Sequence, residues 1–264
     1  MEDWQRHAVE QAIAAERLEG WRPTDEHITD LGRLARHQLT FGDYLAAYRA
    51  RHPPAVEPSF ALGRIFRRAK PYLIPGTNLL RNNFGAADAE MLADLEFVAT
   101  AGRLVEWHLW LADGAGPEAL DLRRIHQHVF ADVYSWAGQY RVTELRRGDT
   151  TFASQAGVAD GAGRIEDGAR ALAGADLDAP ALAYELSRLY ADYNQIHPFR
   201  EGNGRAGTLL LHTLAALCGF RLDLSGVTRS DWYAASRDSA PFRRDGQANH
   251  RPFLPLFGPV LTRR

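Results

Sequence analysis

Apolar residues recur at three- and four-residue steps along most of the chain, a period that predicts helices. Over residues 4–19, Trp4, Ala8, Val9, Ala12, Ile13 and Leu18 fall broadly on one side, and Gly20 follows as a C-cap. Pro23-Thr24-Asp25-Glu26 reads as a turn and a new helix start, continued by Ile28, Leu31, Leu34, Ala35 and Leu39. Thr40-Phe41-Gly42-Asp43 interrupts, Tyr44 to Arg51 makes a third helix, and His52-Pro53-Pro54 ends it. Residues 1–52 are thus expected to form a small helical unit that must pack on the rest to bury a core.

The longer remainder is also predominantly helical in pattern. Residues 53–71 read as a linker with a basic cluster at Arg67, Arg68 and Lys70, and 72–264 as the main domain. Asp88 opens a long helix to about Asp113, with Leu92, Leu95, Val98, Leu104 and Trp107 among its apolar members. Further helices are predicted at 120–133, 155–172, 178–194, 204–218 and 231–239. Only Tyr140 to Phe152 breaks the period: polar turn residues flanked by β-branched and aromatic ones predict a short hairpin. The expected class is all-α, a helical bundle with one short β-hairpin and a small N-terminal helical unit.

Composition narrows this picture modestly. With 264 residues, 45% hydrophobic and 24% charged, the chain is an ordinary globular sequence. A formal net charge of −2 supplies no global basic field, so direct nucleic-acid binding is not expected. The single cysteine, Cys218, reads as a small buried residue in a reducing compartment. The absence of an apolar run of about 18 residues predicts no membrane span. The start, Met1-Glu2-Asp3-Trp4, is unlike a secretory signal, and a cytoplasmic location is the expectation. His108, His126, His128 and His212 read as core or surface histidines, since no Cys/His spacing supports zinc.

The chemistry concentrates where two predicted helices meet, at His197-Pro198-Phe199-Arg200-Glu201-Gly202-Asn203-Gly204-Arg205. Gly202 and Gly204 permit close approach of an anion, and the helix that follows offers unpaired N–H groups and its positive dipole end. Arg205 in that helix's first turn adds a fork for phosphate oxygens. Glu201 beside an anion site invites a hard divalent cation such as Mg2+. His197, with an ordinary pKa near 6.5, suits proton abstraction from a hydroxyl. A Gly-Asn-Gly turn alone is an ordinary interhelical loop. The whole string, with a base, a carboxylate, an anion cradle and an arginine, points to transfer of a phosphorus-containing group.

This string closely resembles the signature of the Fic (Fido) family, His-x-Phe-x-(Asp/Glu)-Gly-Asn-Gly-Arg-x-x-Arg. Tyr72 to Asn82 and Phe130 to Gly138 resemble further blocks of bacterial Fic toxins, so the likeness covers residues 72 to about 240. It implies the Fic fold and transfer of AMP from ATP to a protein Tyr, Thr or Ser hydroxyl. His197 would be the general base and Glu201 the magnesium ligand. Gly202, Asn203 and Gly204 would form the anion hole, with Arg205 on the diphosphate. The hairpin at about 145–153, with Arg147, Thr151 and Phe152, would be a flap that holds the target by strand addition. Short Fic toxins suggest a gyrase or topoisomerase IV subunit as the target.

Two departures qualify the resemblance. The second arginine of the pattern is Thr208 here. ATP would then be bound differently, another nucleotide would be the donor, or the chain would be a silent nucleotide- or partner-binding relative. The N-terminal unit resembles the small antitoxins of one class of these toxins, whose inhibitory pattern is (Ser/Thr)-x-x-x-Glu-(Gly/Asn). Ala15-Glu16-Arg17-Leu18-Glu19-Gly20 matches it at Glu19 and Gly20 and misses at Ala15. In the family that glutamate pairs with the second arginine, so Glu19 would here act by repulsion, or by pairing with Arg205 or a flap arginine.

Overall fold

The computed structural model describes residues 1–53, 71–148, 150–244 and 246–264. Most of the predicted linker, with Arg67, Arg68 and Lys70, lies outside the described residues.

Three helices open the chain: α1 (Asp3–Glu19), α2 (Asp25–Ala35) and α3 (Phe41–Arg51). Thr24 and Thr40 cap α2 and α3 by accepting from His27 N and Asp43 N. Gly20, at φ 107°, ends α1 in the left-handed region. The long α4 (Ala89–Ala112), capped by Asp88, is the surface on which all three pack. Tyr44 on α3 donates to Val98 O at 3.0 Å, and Tyr48 to Asp94 at 2.8 Å. The N-terminal unit thus shares its core with α4: Ala12, Leu31, Tyr44, Val98 and Ala101 are all at most 1% exposed.

The rest follows as α5 (Leu122–Phe130), β1 (Arg146–Arg147), β2 (Thr150–Thr151), α6 (Val158–Leu172), α7 (Ala179–Ile196), α8 (Asn203–Leu217), β3 (Phe220–Leu222), α9 (Arg229–Asp238), α10 (Leu254–Phe257) and β4 (Leu261–Arg263). The central helix α8 packs on α1, α5 and α7, with Leu209, Leu210, Leu211 and Leu214 fully buried. The predicted 120–133 helix is shorter, because Pro117–Leu120 forms a 3-10 turn and Asp121 caps α5 from Leu122. The hairpin is a two-residue ladder, Arg146 opposite Thr151 and Arg147 opposite Thr150. A second sheet, β3 antiparallel to β4, was not expected from the sequence: Phe220 lies opposite Arg263 and Leu222 opposite Leu261. Among the described residues, no helix is long and apolar enough to cross a membrane.

Candidate active site

The loop between α7 and α8 begins with an uncommon backbone. His197 caps α7 at φ 48° and ψ 63°, a left-handed conformation that costs a non-glycine residue and needs support. The support comes from several elements. Arg141, 1% exposed, donates from its guanidinium to the carbonyls of His197 (2.8 Å), Ile196 (3.1 Å), Ala153 (2.6 Å) and Thr143 (2.9 Å). Its backbone N–H also donates to Pro198 O at 2.9 Å. The Asn203 amide closes the turn from both sides, accepting from Phe199 N and donating to Phe199 O, each at 2.9 Å. Gly202 takes φ 78°, and Phe130 fills the space a side chain would need.

A buried histidine from α5 fixes the other half of the loop. His126 Nδ1 accepts from Gly138 N at 2.9 Å, so its proton lies on Nε2, which donates to Glu201 O at 3.0 Å. Its ring stacks on Phe199 at 3.9 Å between centroids.

His197 is itself 8% exposed and stacks on Phe152 at 3.8 Å. Burial, then the Arg147 charge, hold its imidazole down to about 3, so it is neutral near pH 7. Nδ1 faces Asn194 O at 3.3 Å; with the proton there, the Nε2 lone pair remains to accept another. Asn194 is in turn tied to α9, donating to Ser236 O at 2.9 Å and Ser239 Oγ at 3.1 Å. The Glu201 carboxyl is pushed up by burial and by the Glu96 charge, and accepts from Gly202 N at 3.1 Å. In α8 the first i→i−4 bond is made by Ala206 N to Gly202 O, which leaves the N–H groups of Asn203, Gly204 and Arg205 ahead of the ladder.

These groups meet in a cleft of about 180 Å3 lined by Glu19, Arg146, Arg147, Phe152, His197, Arg200, Glu201, Asn203 and Gly204. Glu19 intrudes on it from α1. A Cβ built on Gly204 would lie 1.6 Å from Glu19 Oε1, so the carboxylate occupies the ground beside the first turn of α8. Arg229 Nε donates to Leu18 O at 3.2 Å and Tyr233 OH to Glu19 Oε2 at 3.5 Å, which hold that end of α1 against α9.

Three expected residues are placed differently from a simple reading of the motif. The Asn203 side chain is committed to the loop, so only its backbone N–H, ahead of the α8 ladder, is left over. Arg205 is 3% exposed, and its guanidinium lies among Glu96, Thr100 and Glu16, over the Phe130 ring at 4.7 Å. Phe152, 4% exposed, is packed on His197 and not presented to a docking strand. Thr208 is buried, its hydroxyl donating to Arg205 O at 2.9 Å, and supplies no charge. Arg147 is exposed on β1, with its guanidinium 5.5 Å from the Tyr233 ring, and Thr151 is half-buried on β2. Sequence reasoning missed Arg141, Glu96, Thr100 and the positioning role of His126. Their partners are remote in the chain, and each looks locally like a surface or core residue.

Residues 118–215 match the Fic/DOC family, and residues 5–51 match antitoxin VbhA. A probable protein adenylyltransferase Fic of Salmonella typhimurium is 32% identical over 182 residues, 64% of this chain and 84% of that protein. The probable protein adenylyltransferase y4lH of Sinorhizobium fredii is 35% identical over 157 residues, 59% of this chain and 80% of that protein. The crystal structure of BepC from Bartonella tribocorum, with bound AMPPNP, superposes with a TM-score of 0.63 at 21% identity, covering 73% of this chain and 97% of that one. At such identity the likeness speaks for the fold. The chain belongs to the Fic/DOC family, a nucleotidyltransferase family, and carries an antitoxin VbhA-like region ahead of the family core.

Proposed function

We propose that the protein transfers AMP from ATP to a hydroxyl side chain of a target protein, and that docked α1 restrains the reaction. The observation that carries the first part is the pairing of a neutral, buried His197 with an anion cradle in one cleft. In this reading the target hydroxyl oxygen attacks the α-phosphorus while His197 Nε2 takes its proton. The bond from the α-phosphorus to the bridging oxygen breaks, and pyrophosphate leaves with the electron pair. The N–H groups at the start of α8 stabilise the charge on phosphate oxygens. Glu201 is a half-buried carboxylate on the cleft with one hydrogen bond and another carboxylate close by, a donor that suits Mg2+, whose charge would offset that of the phosphates. Relatives named as probable protein adenylyltransferases and a related fold that carries AMPPNP support this donor chemistry. The short β1–β2 edge, with Arg147 and Thr151, is the surface we assign to the target segment.

The second part rests on Glu19. With its carboxylate beside Gly204 the cleft is about 180 Å3, below the roughly 300–1,000 Å3 of ligand sites. A triphosphate would have to displace α1. One observation favours a second reading of the donor: Thr208 supplies no charge where the family pattern has an arginine. A nucleotide other than ATP then becomes the alternative donor.

The test is incubation of wild type, Glu19→Gly, His197→Ala and the double variant with Mg2+, a bacterial lysate and each of the common nucleoside triphosphates, α-labelled. Glu19→Gly is expected to label protein more strongly than wild type, and adding His197→Ala to lower the rate by about 10²–10⁴-fold. Label from another nucleotide alone selects the second reading. No label from Glu19→Gly with any nucleotide overturns both.

A further inference from the structure

Glu16, one helical turn before Glu19, makes a fully buried polar contact between α1 and the core. Glu16 has no exposed surface and sits on the face that carries Ala12, Ile13 and Ala15 into the core. Thr100 of α4 donates its hydroxyl to Glu16 Oε1. Glu16 Oε2 has no hydrogen-bond partner among the described residues and lies 3.6 Å from Arg205 Nη1. The same Nη1 donates to Thr100 Oγ1 at 3.1 Å, and Arg205 Nη2 pairs with Glu96.

This arrangement is expensive for a helix that only has to dock. A buried carboxylate loses its hydration, and an apolar side chain of similar volume would bind α1 to α4 as well or better. Burial pushes the Glu16 carboxyl up to about 8, and the Arg205 charge is the main influence that opposes this. The return on that cost is a hold on Arg205, a residue of the phosphate-binding motif.

We propose that Glu16 is a second restraining residue of the N-terminal unit, acting by holding the Arg205 guanidinium on the α4 side, away from the nucleotide. The inference rests on the reading of α1 as an inhibitor. In that frame, α1 and the nucleotide compete for one arginine, while Glu19 competes for the ground beside Gly204. Two separate contacts then restrain the core, and neither needs an arginine at position 208. Among the ion pairs of the described residues, Arg205 is joined to Glu16 and Glu96 and not to Glu19. Of the alternatives open to Glu19 from the sequence, pairing with Arg205 is thus taken by a residue one turn earlier in the same helix.

The experiment is calorimetric titration of Mg2+ and AMPPNP into the full chain as wild type, Glu16→Gln, Glu19→Gln and Glu16→Gln/Glu19→Gln. The titrations are run at pH 9, above the value of about 8 to which Glu16 is raised, so that Gln keeps the shape and the bond from Thr100 and removes a charge that is present. The double variant is expected to bind about 5-fold or more tighter than Glu19→Gln. Arg205→Lys should abolish that gain. Tryptic cleavage after Arg17, read before nucleotide is added, reports whether α1 has stayed docked; a gain seen only where that cleavage is already faster means that Glu16 acts through folding and overturns the inference. Equal affinity of the double variant and Glu19→Gln also overturns it. The guanidinium exchange rate of Arg205, read by NMR without nucleotide, is the independent measurement: slow in wild type and faster in Glu16→Gln. Unchanged exchange overturns the inference even where nothing binds. Failure of Glu19→Gln to bind AMPPNP falls instead on ATP as the donor in the proposed function.

Discussion

The segments that face each other across the cleft differ in how they are held. The loop at 197–202 is anchored by buried groups from several other elements: Arg141 takes three carbonyls of residues 196–198, Asn203 takes both polar groups of Phe199, and His126 takes Glu201 O. The flap at 145–153 has a ladder of two residues a side, and Arg146 and Arg147 are exposed. A reacting constellation needs sub-ångström placement, which remote, buried hydrogen bonds provide. An edge that receives varied segments by strand addition gains from having few commitments of its own. Arg141 is shared by the two: it also takes Thr143 O and Ala153 O at the base of the flap. The comparison therefore predicts a graded response to substitution.

The largest effect is expected at Arg141. Arg141→Ala leaves four carbonyls without the guanidinium, in a region where unpaired groups cost about 1–3 kcal/mol each. With relaxation and water entry, a loss of roughly 3–5 kcal/mol and a fall in Tm on the order of 10 °C should follow, read by denaturant and thermal unfolding. A loss below about 1 kcal/mol would show that the loop does not depend on its remote anchor.

Asn203 comes next. Asn203→Ala removes both bonds to Phe199 and should cost about 2 kcal/mol. Asn203→Asp keeps an acceptor for Phe199 N and loses the donor to Phe199 O, so it should fall between Ala and wild type. Equal losses for the two variants would mean that the amide acts by packing alone.

The uneven anchoring also explains what could be read from the chain before its fold. Local signals carried most of the architecture: Thr24, Asp88, Asp178 and Thr228 stand at helix starts as N-caps, and the apolar period between them is helical. The 197–205 string is legible because base, carboxylate and cradle are contiguous. What escaped was non-local. Arg141 and His126 reach partners 56 and 75 positions away. β3 and β4 are three residues each and pair across most of the C-terminal region. Glu16 follows two alanines and precedes an arginine, a setting that reads as a solvated helix face, yet it is wholly buried. Only the packing of α1 on α4 and α8 turns it inward.

A third measurement addresses the closed state of the cleft. Held down to about 3, His197 should show no ring titration by NMR between pH 5 and 8. The sign for stability follows. The unfolded imidazole binds a proton near pH 6.5 and the folded one does not, so this group's contribution is present above 6.5 and is lost as pH falls toward 3. Titration of His197 at its ordinary value would mean that Phe152 and the flap leave the ring open to water.

The smallest change in stability belongs to Arg147, which tests the flap side of the comparison. Its guanidinium lies 5.8 Å from the Phe152 ring and 5.5 Å from the Tyr233 ring, near the outer limit for such contacts, so the two together are worth about 1 kcal/mol at most. Arg147→Ala should therefore lower stability by about 1 kcal/mol or less. The His197 pKa should rise, since the Arg147 charge is the second cause of its depression, but burial is the first and remains, so the imidazole stays neutral at pH 7. In a Glu19→Gly background, target labelling should then fall through KM for the target, with KM for the nucleotide nearly constant. An equal rise in both constants would place Arg147 on the phosphates, as the charge that Thr208 lacks, and would make the flap part of the donor site as well as the docking edge.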